Sequence, residues 1–239
     1  MLESKCDKAL MACWLEQGTL NRSSLVARSW FSSAENAFDH LSYQQLDALI
    51  EQGELLKHDV TTSVVRIGIA GRNVIVKRFN ARSQWHRLNR AIRQSRASRC
   101  WQMSYSFQQA GLSVARPLLM FERRFGPLRR TAYFVSEALD GVELLSNLAS
   151  FPESEKKLLV KAINDAFLCM KKNRLSHGDL KASNLIWQDG RLYFIDLDAA
   201  RHHTSEQSWL SAHKKDCDRF LKNWRDDEGL VSLFESLSQ

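Results

Sequence analysis

Residues 177–198 read HGDLKASNLIWQDGRLYFIDLD, and the second half of that stretch decides the fold. Asn184-Leu185-Ile186-Trp187 and Leu192-Tyr193-Phe194-Ile195 are two apolar, strand-like runs. Gln188-Asp189-Gly190-Arg191 lies between them, and Asp-Gly between apolar runs predicts a hairpin, because glycine tolerates the positive φ of a tight turn. Such a hairpin sets Asn184, at the start of one strand, beside Asp196, just past the end of the other. Two oxygen-bearing side chains twelve positions apart in sequence then converge.

The first half of the stretch supplies the companions. Asp179, Lys181 and Asn184 follow one another at spacings of two and three. A carboxylate for an acceptor hydroxyl, a cation for a transferred phosphate and two oxygen ligands for Mg²⁺ are what phosphoryl transfer from ATP requires. The pattern therefore assigns Asp179 and Lys181 to catalysis, and Asn184 and Asp196 to the metal.

The rest of the chain bounds the reading. At 239 residues, 44% hydrophobic and 26% charged, it is long enough for one two-lobed domain with a real core. Five cysteines, Cys6, Cys13, Cys100, Cys169 and Cys217, are scattered without metal-ligand spacing, which predicts reduced thiols. His202, His203 and His213 lack a fourth partner and read as solvated surface. No apolar run approaches the ~20 residues of a spanning helix. The start, MLESKCDKALMACW, lacks the order of a signal peptide, so a cytoplasmic chain is expected.

Charge is unevenly spread. The net +7 conceals a segment, Arg66 to Arg130, with fifteen Lys/Arg and one acid, Glu122, hence +14 against −7 elsewhere. Such a block is suited to a polyanion: acidic lipid, phosphorylated glycolipid or nucleic acid. Within it Arg87, Arg90, Arg93, Arg96 and Arg99 recur every three residues and wind around a helix, while Trp85, Leu88 and Ile92 share a side.

Along the chain, residues 1–53 read as helices: Lys8 to Gln17, then a short helix opened by a capping box at Ser42-Tyr43-Gln44-Gln45 and stopped at Gly53. Strands follow at Leu55–His58, Ser63–Ile67 and Asn73–Arg78, the last delivering Lys77. Ser83 to Gln109 reads as basic helix, with strands from Arg116 to Phe121 and Thr131 to Val135 beyond it. Ser136 to Gly141 reads as a connector. A helix from Pro152 to about Lys172 presents Leu159, Ile163, Phe167 and Met170 on one face, and a last helix lies near Lys214 to Trp224.

In this order the elements resemble a protein-kinase-like fold, α+β and two-lobed, with a small β-rich N-lobe and a compact helical C-lobe. TTSVVRIGIAGRNVIVKRFN, AGLSVARPLLMFE, AYFVSEALDG, HGDLKASN with FIDLDAAR, and KKDCDRFLKNW are similar to the lipopolysaccharide core kinases, the Kdo/heptose kinase family. The resemblance covers about residues 55–225 and implies an N-terminal helical extension over 1–53, an N-lobe over 54–139 and a C-lobe over 140–239. It implies that Asp179 orients the acceptor hydroxyl or accepts its proton, and that Lys181 stabilises the transferred phosphate. Asn184 and Asp196 hold Mg²⁺ or Mn²⁺, and Lys77 grips the α/β-phosphates of ATP. Glu137 to Leu139, including Leu139 itself, offer backbone groups to adenine, and His177 braces the loop.

Two departures accompany the resemblance. Where a phosphate-covering loop belongs, Asp59-Val60-Thr61-Thr62-Ser63 has no glycine, so phosphate contacts fall to the amides and hydroxyls of Thr61, Thr62 and Ser63. Protein kinases pair the strand lysine with a helix glutamate, yet no acid occurs from Val60 to Phe121. Asp196, Glu122 and the nucleotide remain as candidate anions for Lys77. Only forty-one residues follow Asp198, which favours a small or lipid-linked acceptor over a docked peptide. The expectation is a kinase of a sugar hydroxyl in the lipopolysaccharide inner core, peripheral at the inner face of the inner membrane. Nucleic acid is not the expected partner. The alternatives are a RIO-like Ser/Thr protein kinase and a pseudokinase-like adaptor on anionic membrane.

Overall fold

The computed structural model describes residues 18–23, 27–32, 41–69, 71–80, 94–125 and 128–234. They divide into two units, Met1–Gln102 with Arg116–Ala138, and Met103–Ala115 with Leu139–Gln239.

The first unit is built on a seven-stranded antiparallel sheet. Its elements in chain order are β1 (Gly18–Ser23), β2 (Ala27–Ser32), α1 (Tyr43–Gln52), β3 (Glu54–Asp59), β4 (Thr62–Ile69) and β5 (Arg72–Phe79). There follow α2 (Arg96–Ala110), which runs on into the second unit and β6 (Ser113–Val114), and then β7 (Pro117–Phe125) and β8 (Leu128–Glu137). The strand order is β1-β2-β7-β8-β5-β4-β3. Alternating β-branched residues bury Val65, Val74 and Val76 on one face, and Leu46 of α1 packs among them with Leu118, Leu119 and Val135. The expected capping box is present: the Ser42 hydroxyl accepts from the Gln45 amide, while the Gln45 side chain accepts from the Ser42 amide. Asp47 on α1 then ties the helix to the sheet. Its carboxylate accepts from the Tyr133 hydroxyl at 2.8 Å and meets Arg78 at 3.2 Å, and burial together with that carboxylate pushes the Tyr133 hydroxyl pKa up.

One expectation is corrected here. Residues 1–53 read as helical, but Gly18–Ser23 and Ala27–Ser32 form an antiparallel hairpin, with β2 paired along β7 from Ala27↔Arg123 to Phe31↔Leu119. The open edge of β7 offers a ladder of hydrogen bonds, and sheet pairing outweighs the weak helix preference of so short a segment. The helix expected over Lys8–Gln17, and the stretch carrying Trp85, Arg87, Leu88, Arg90, Ile92 and Arg93, lie outside the described residues.

The second unit adds β9 (Val142–Glu143), α3 (Leu144–Asn147), α4 (Glu153–Lys172), β10 (Leu175–Ser176), β11 (Leu185–Gln188), β12 (Arg191–Phe194), β13 (Arg201–His202), α5 (Glu206–Lys222) and α6 (Glu228–Leu233). The hairpin forms as its sequence predicts. Leu185 pairs with Phe194 and Gln188 with Arg191, and both turn residues take positive φ, Asp189 at 51° and Gly190 at 72°. β6 and β9 flank it in a four-stranded sheet of order β6-β12-β11-β9. Gly141 has no room for a side chain there: a Cβ would lie 2.5 Å from the Trp187 carbonyl oxygen. α4 buries Leu159, Ile163, Phe167 and Met170 against this sheet's unit, as its periodicity indicates. α5 starts eight residues before the expected Lys214, because the Ser205 hydroxyl caps it by accepting from the Ser208 amide.

Ile163 is fully buried whereas Leu168, on the same helix, is 64% exposed. Truncating Ile163 to alanine is expected to cost about 2–5 kcal/mol in urea unfolding. Leu168→Ala should stay within about 0.5 kcal/mol of the parent.

Candidate active site

The loop from His177 to Asn184 is held from beneath by a buried carboxylate. Asp216 on α5 is 2% exposed and accepts from three loop amides: His177 at 2.7 Å, Gly178 at 3.0 and 3.1 Å, and Leu180 at 3.4 Å. Charge-assisted bonds of this kind are about twice as strong as neutral ones, and here they fix the loop backbone. The sequence reading passed over Asp216. Its only signal was an acid followed by Cys217 and, four residues on, by Phe220, on a helix face that is otherwise apolar.

His177 completes the support. Its ring is fully buried, and Nε2 donates to the Ile195 carbonyl at 3.0 Å, which joins the loop to the far end of the hairpin. Burial holds the imidazole below its ordinary pKa, against the opposing pull of Asp216, so the ring is neutral and carries its proton on Nε2. It is a brace, as the sequence indicated. Gly178 is required by the same geometry. Its φ is +80°, and a Cβ would collide with the Ala199 carbonyl oxygen, so the arginine usual in protein kinases has no place here.

Above this support stand the residues of the motif. Asp179 points one carboxylate oxygen at Lys181 Nζ, 3.3 Å away, and the other at the Arg219 guanidinium, which also donates to the Gly178 carbonyl at 3.1 Å. Arg219, in the last turn of α5, was not anticipated. Asn184 is buried at the end of a 3₁₀ turn over Ala182–Asn184, and its Nδ2 donates to the Asp179 carbonyl at 2.9 Å. The amide is thereby oriented, with Oδ1 as its acceptor end. The Ile195 amide donates to the Asn184 carbonyl at 3.0 Å, so the residue before Asp196 is tied to Asn184 itself. Asp196 adopts a left-handed backbone, φ 63°. Two hard oxygen donors on adjoining backbone suit Mg²⁺ or Mn²⁺.

The remaining expected site residues lie in the first unit, or at its end. Lys77 is half-buried on β5, opposite Phe134 of β8. At the β3–β4 turn, Asp59 Oδ1 accepts from the Thr61 amide at 2.7 Å, the Thr61 hydroxyl at 2.7 Å and the Thr62 amide at 2.9 Å; those bonds hold its carboxyl below its usual pKa. Thr62 and Ser63 are buried, the former accepting from Arg96 at 2.8 Å and the latter bonded to His58 at 3.0 Å. A phosphate reaching this turn would have to displace a carboxylate from the two amides. Glu137 and Ala138 give their amides to the Arg116 and Asn73 carbonyls, so neither amide serves a base, and Leu139 follows as the first residue of the second unit's long segment. The three histidines that the sequence assigns to solvated surface differ among themselves. His202 is exposed, but His203 bonds Ser176 at 2.8 Å and His213 stacks on Trp209 at 4.6 Å.

Residues 49–229 match the family model described as lipopolysaccharide kinase (Kdo/WaaP) family. The chain belongs to that family. This makes it a lipopolysaccharide kinase by family, with a kinase-like α+β fold. No curated protein sequence matches it. Among solved structures it is similar to one titled "WaaP in complex with acyl carrier protein", with a TM-score of 0.52 at 21% identity, over 82% of this chain and 90% of that one. At that identity the likeness speaks for the kinase-like fold alone. Among the described residues no helix is long and apolar enough to cross a membrane.

Two outcomes are expected of the lipopolysaccharide kinase loop. Asp216→Asn keeps the shape but loses the charge under three amides, and should lower stability by about 1.5–3 kcal/mol in urea unfolding. His177, His203 and His213 all lie below their ordinary pKa through burial. Their unfolded forms therefore bind protons first, so stability present above about pH 6.5 should fall steadily as the pH drops below it. Urea midpoints at pH 7.5 and 5.5 measure that loss, and His177→Asn should shrink it.

Proposed function

We propose that this lipopolysaccharide kinase transfers the γ-phosphoryl group of ATP to a sugar hydroxyl of the lipopolysaccharide inner core, at the inner face of the inner membrane. The observation that carries the reading is the Asp179 carboxylate, presented between Lys181 and Arg219 on a loop anchored by Asp216. Asp179 orients the acceptor hydroxyl and takes its proton as the new P–O bond forms. The proton is released late, from a hydroxyl already losing electron density to phosphorus. Lys181 lies beside it, where charge builds on the transferred group. Asn184 Oδ1 and the Asp196 carboxylate would hold the metal, Mg²⁺ or Mn²⁺, which would supply positive charge against the phosphates.

Lys77 is assigned to the α/β-phosphates on the strength of its strand-end position and the family pattern. Thr61, Thr62 and Ser63 are assigned to the phosphates, which requires Asp59 to release the Thr61 and Thr62 amides. Glu137 to Leu139 would meet adenine chiefly through carbonyls and the Leu139 amide. The acceptor is an anionic glycolipid, and the basic 66–130 segment supports a peripheral position on anionic membrane.

ADP release tests the assignment. Wild type should form ADP with de-phosphorylated core lipopolysaccharide and a divalent cation. Asp179→Ala and Asp196→Ala should lower that rate by about 10²–10⁴-fold while unfolding at the parental urea concentration. Phosphate appearing on added protein rather than on glycolipid would replace this reading with a protein kinase.

A further inference from the structure

Arg219 has a position that neither the motif nor the family description accounts for. Its guanidinium touches the Asp179 carboxylate and the Gly178 carbonyl through a single terminal nitrogen, and the side chain is 48% exposed. Guanidinium carries five donors in a planar fork matched to carboxylate and phosphate, so most of its donor capacity lies beyond these two contacts. Arg219 also has neighbours of its own kind. Lys215 and Lys222 are exposed on the same helix at spacings of four and three, which places all three cations on one face of α5. Asp218, also exposed, borders the stripe three residues after Lys215 and four before Lys222, and offsets part of the charge of those two lysines while Arg219 keeps its own. Arg219, the middle cation of the stripe, is the one that meets Asp179, and Lys215 and Lys222 flank it on either side.

We propose that Arg219, continued by Lys215 and Lys222, is an acceptor-recognition surface that takes an oxyanion substituent, carboxylate or phosphate, of the glycolipid acceptor. The inference rests on the kinase reading above and refines it. An anion on the acceptor draws Arg219 partly off Asp179, so acceptor binding itself unmasks a carboxylate oxygen for the hydroxyl. A neutral acceptor lacks that lever and meets Asp179 with both oxygens still occupied by cations. Arg219 is thus a specificity residue that also positions Asp179, and discrimination between charged and neutral acceptors is its signature.

The test compares three acceptors in ADP release by the full chain. One is de-phosphorylated core lipopolysaccharide with free carboxylates, the second is its methyl ester, and the third is that ester with its lipid A phosphates retained. Wild type should prefer the free acid over the ester by about tenfold or more in kcat/KM. That ratio should approach one in Arg219→Ala, recover in part in Arg219→Lys, and fall to an intermediate value in Lys215→Ala/Lys222→Ala, chiefly through KM and more at low salt than high. Preference restored by the third acceptor, and lost again in Arg219→Ala, identifies phosphate rather than carboxylate as the anion recognised. Wild type using all three acceptors equally well, or an Arg219→Ala variant slowed equally on all three, overturns the proposal and leaves Arg219 a structural support for the loop. Wild type forming no ADP with any acceptor overturns the kinase reading, and the proposal falls with it. The lysine pair touches no catalytic residue, so its ratio stands even where Arg219→Ala fails to fold.

Discussion

A carboxylate buried to 2% exposure cannot be left without partners, and Asp216 finds its partners in the amides of the catalytic loop. That requirement organises the second unit. The loop must pass close enough to α5 for three amides to reach one side chain, which forces Gly178 into a left-handed conformation against Ala199. The His177 ring is then turned inward, where its Nε2 reaches the Ile195 carbonyl and fastens the loop to the hairpin. Asp179 is left on the outer side of a backbone whose amides are already spent. Each constraint follows from satisfying the one before it.

The sequence disclosed those parts whose information is local. Asp189-Gly190 fixed a two-residue hairpin because positive φ at both positions is a property of the two residues themselves. The capping box at Ser42 and the apolar face of α4 were legible for the same reason: a helix start and a 3.6-residue period are written within a few turns of chain. What escaped was non-local. Asp216 and Arg219 act on residues about forty positions earlier, and nothing in KKDCDRF distinguishes an acid that caps a loop from one that is merely solvated. The β1–β2 hairpin escaped too, because its pairing partner, β7, lies ninety residues downstream and propensity weighs only neighbours.

The basic segment shows how far a formal charge count reaches. Of its described arginines, Arg78 meets Asp47, Arg96 donates to Thr62 and lies over the Phe79 ring, Arg116 meets Glu137, and Arg123 lies over Tyr43. These side chains hold the first unit together as much as they advertise charge. Two of the partners are acids and cancel part of the field, while the aromatic and hydroxyl partners leave the charge intact but fix its position. A long-range potential survives such engagement, since it depends on charge rather than on free donors. It can hold a protein near an anionic surface without telling one anion from another.

Discrimination needs donors beside the reacting group, and there the count of cations is small. Lys181 and Arg219 share Asp179, yet they differ in chemistry. Lys181 is a compact point charge two residues from the carboxylate it meets, so chain geometry keeps it there whatever else binds. Arg219 reaches Asp179 from another element, and its fork can rotate toward a new oxyanion without the helix moving. The carboxylate is thus bridged once within its own loop and once from another element, with the ammonium on the loop and the guanidinium on the helix.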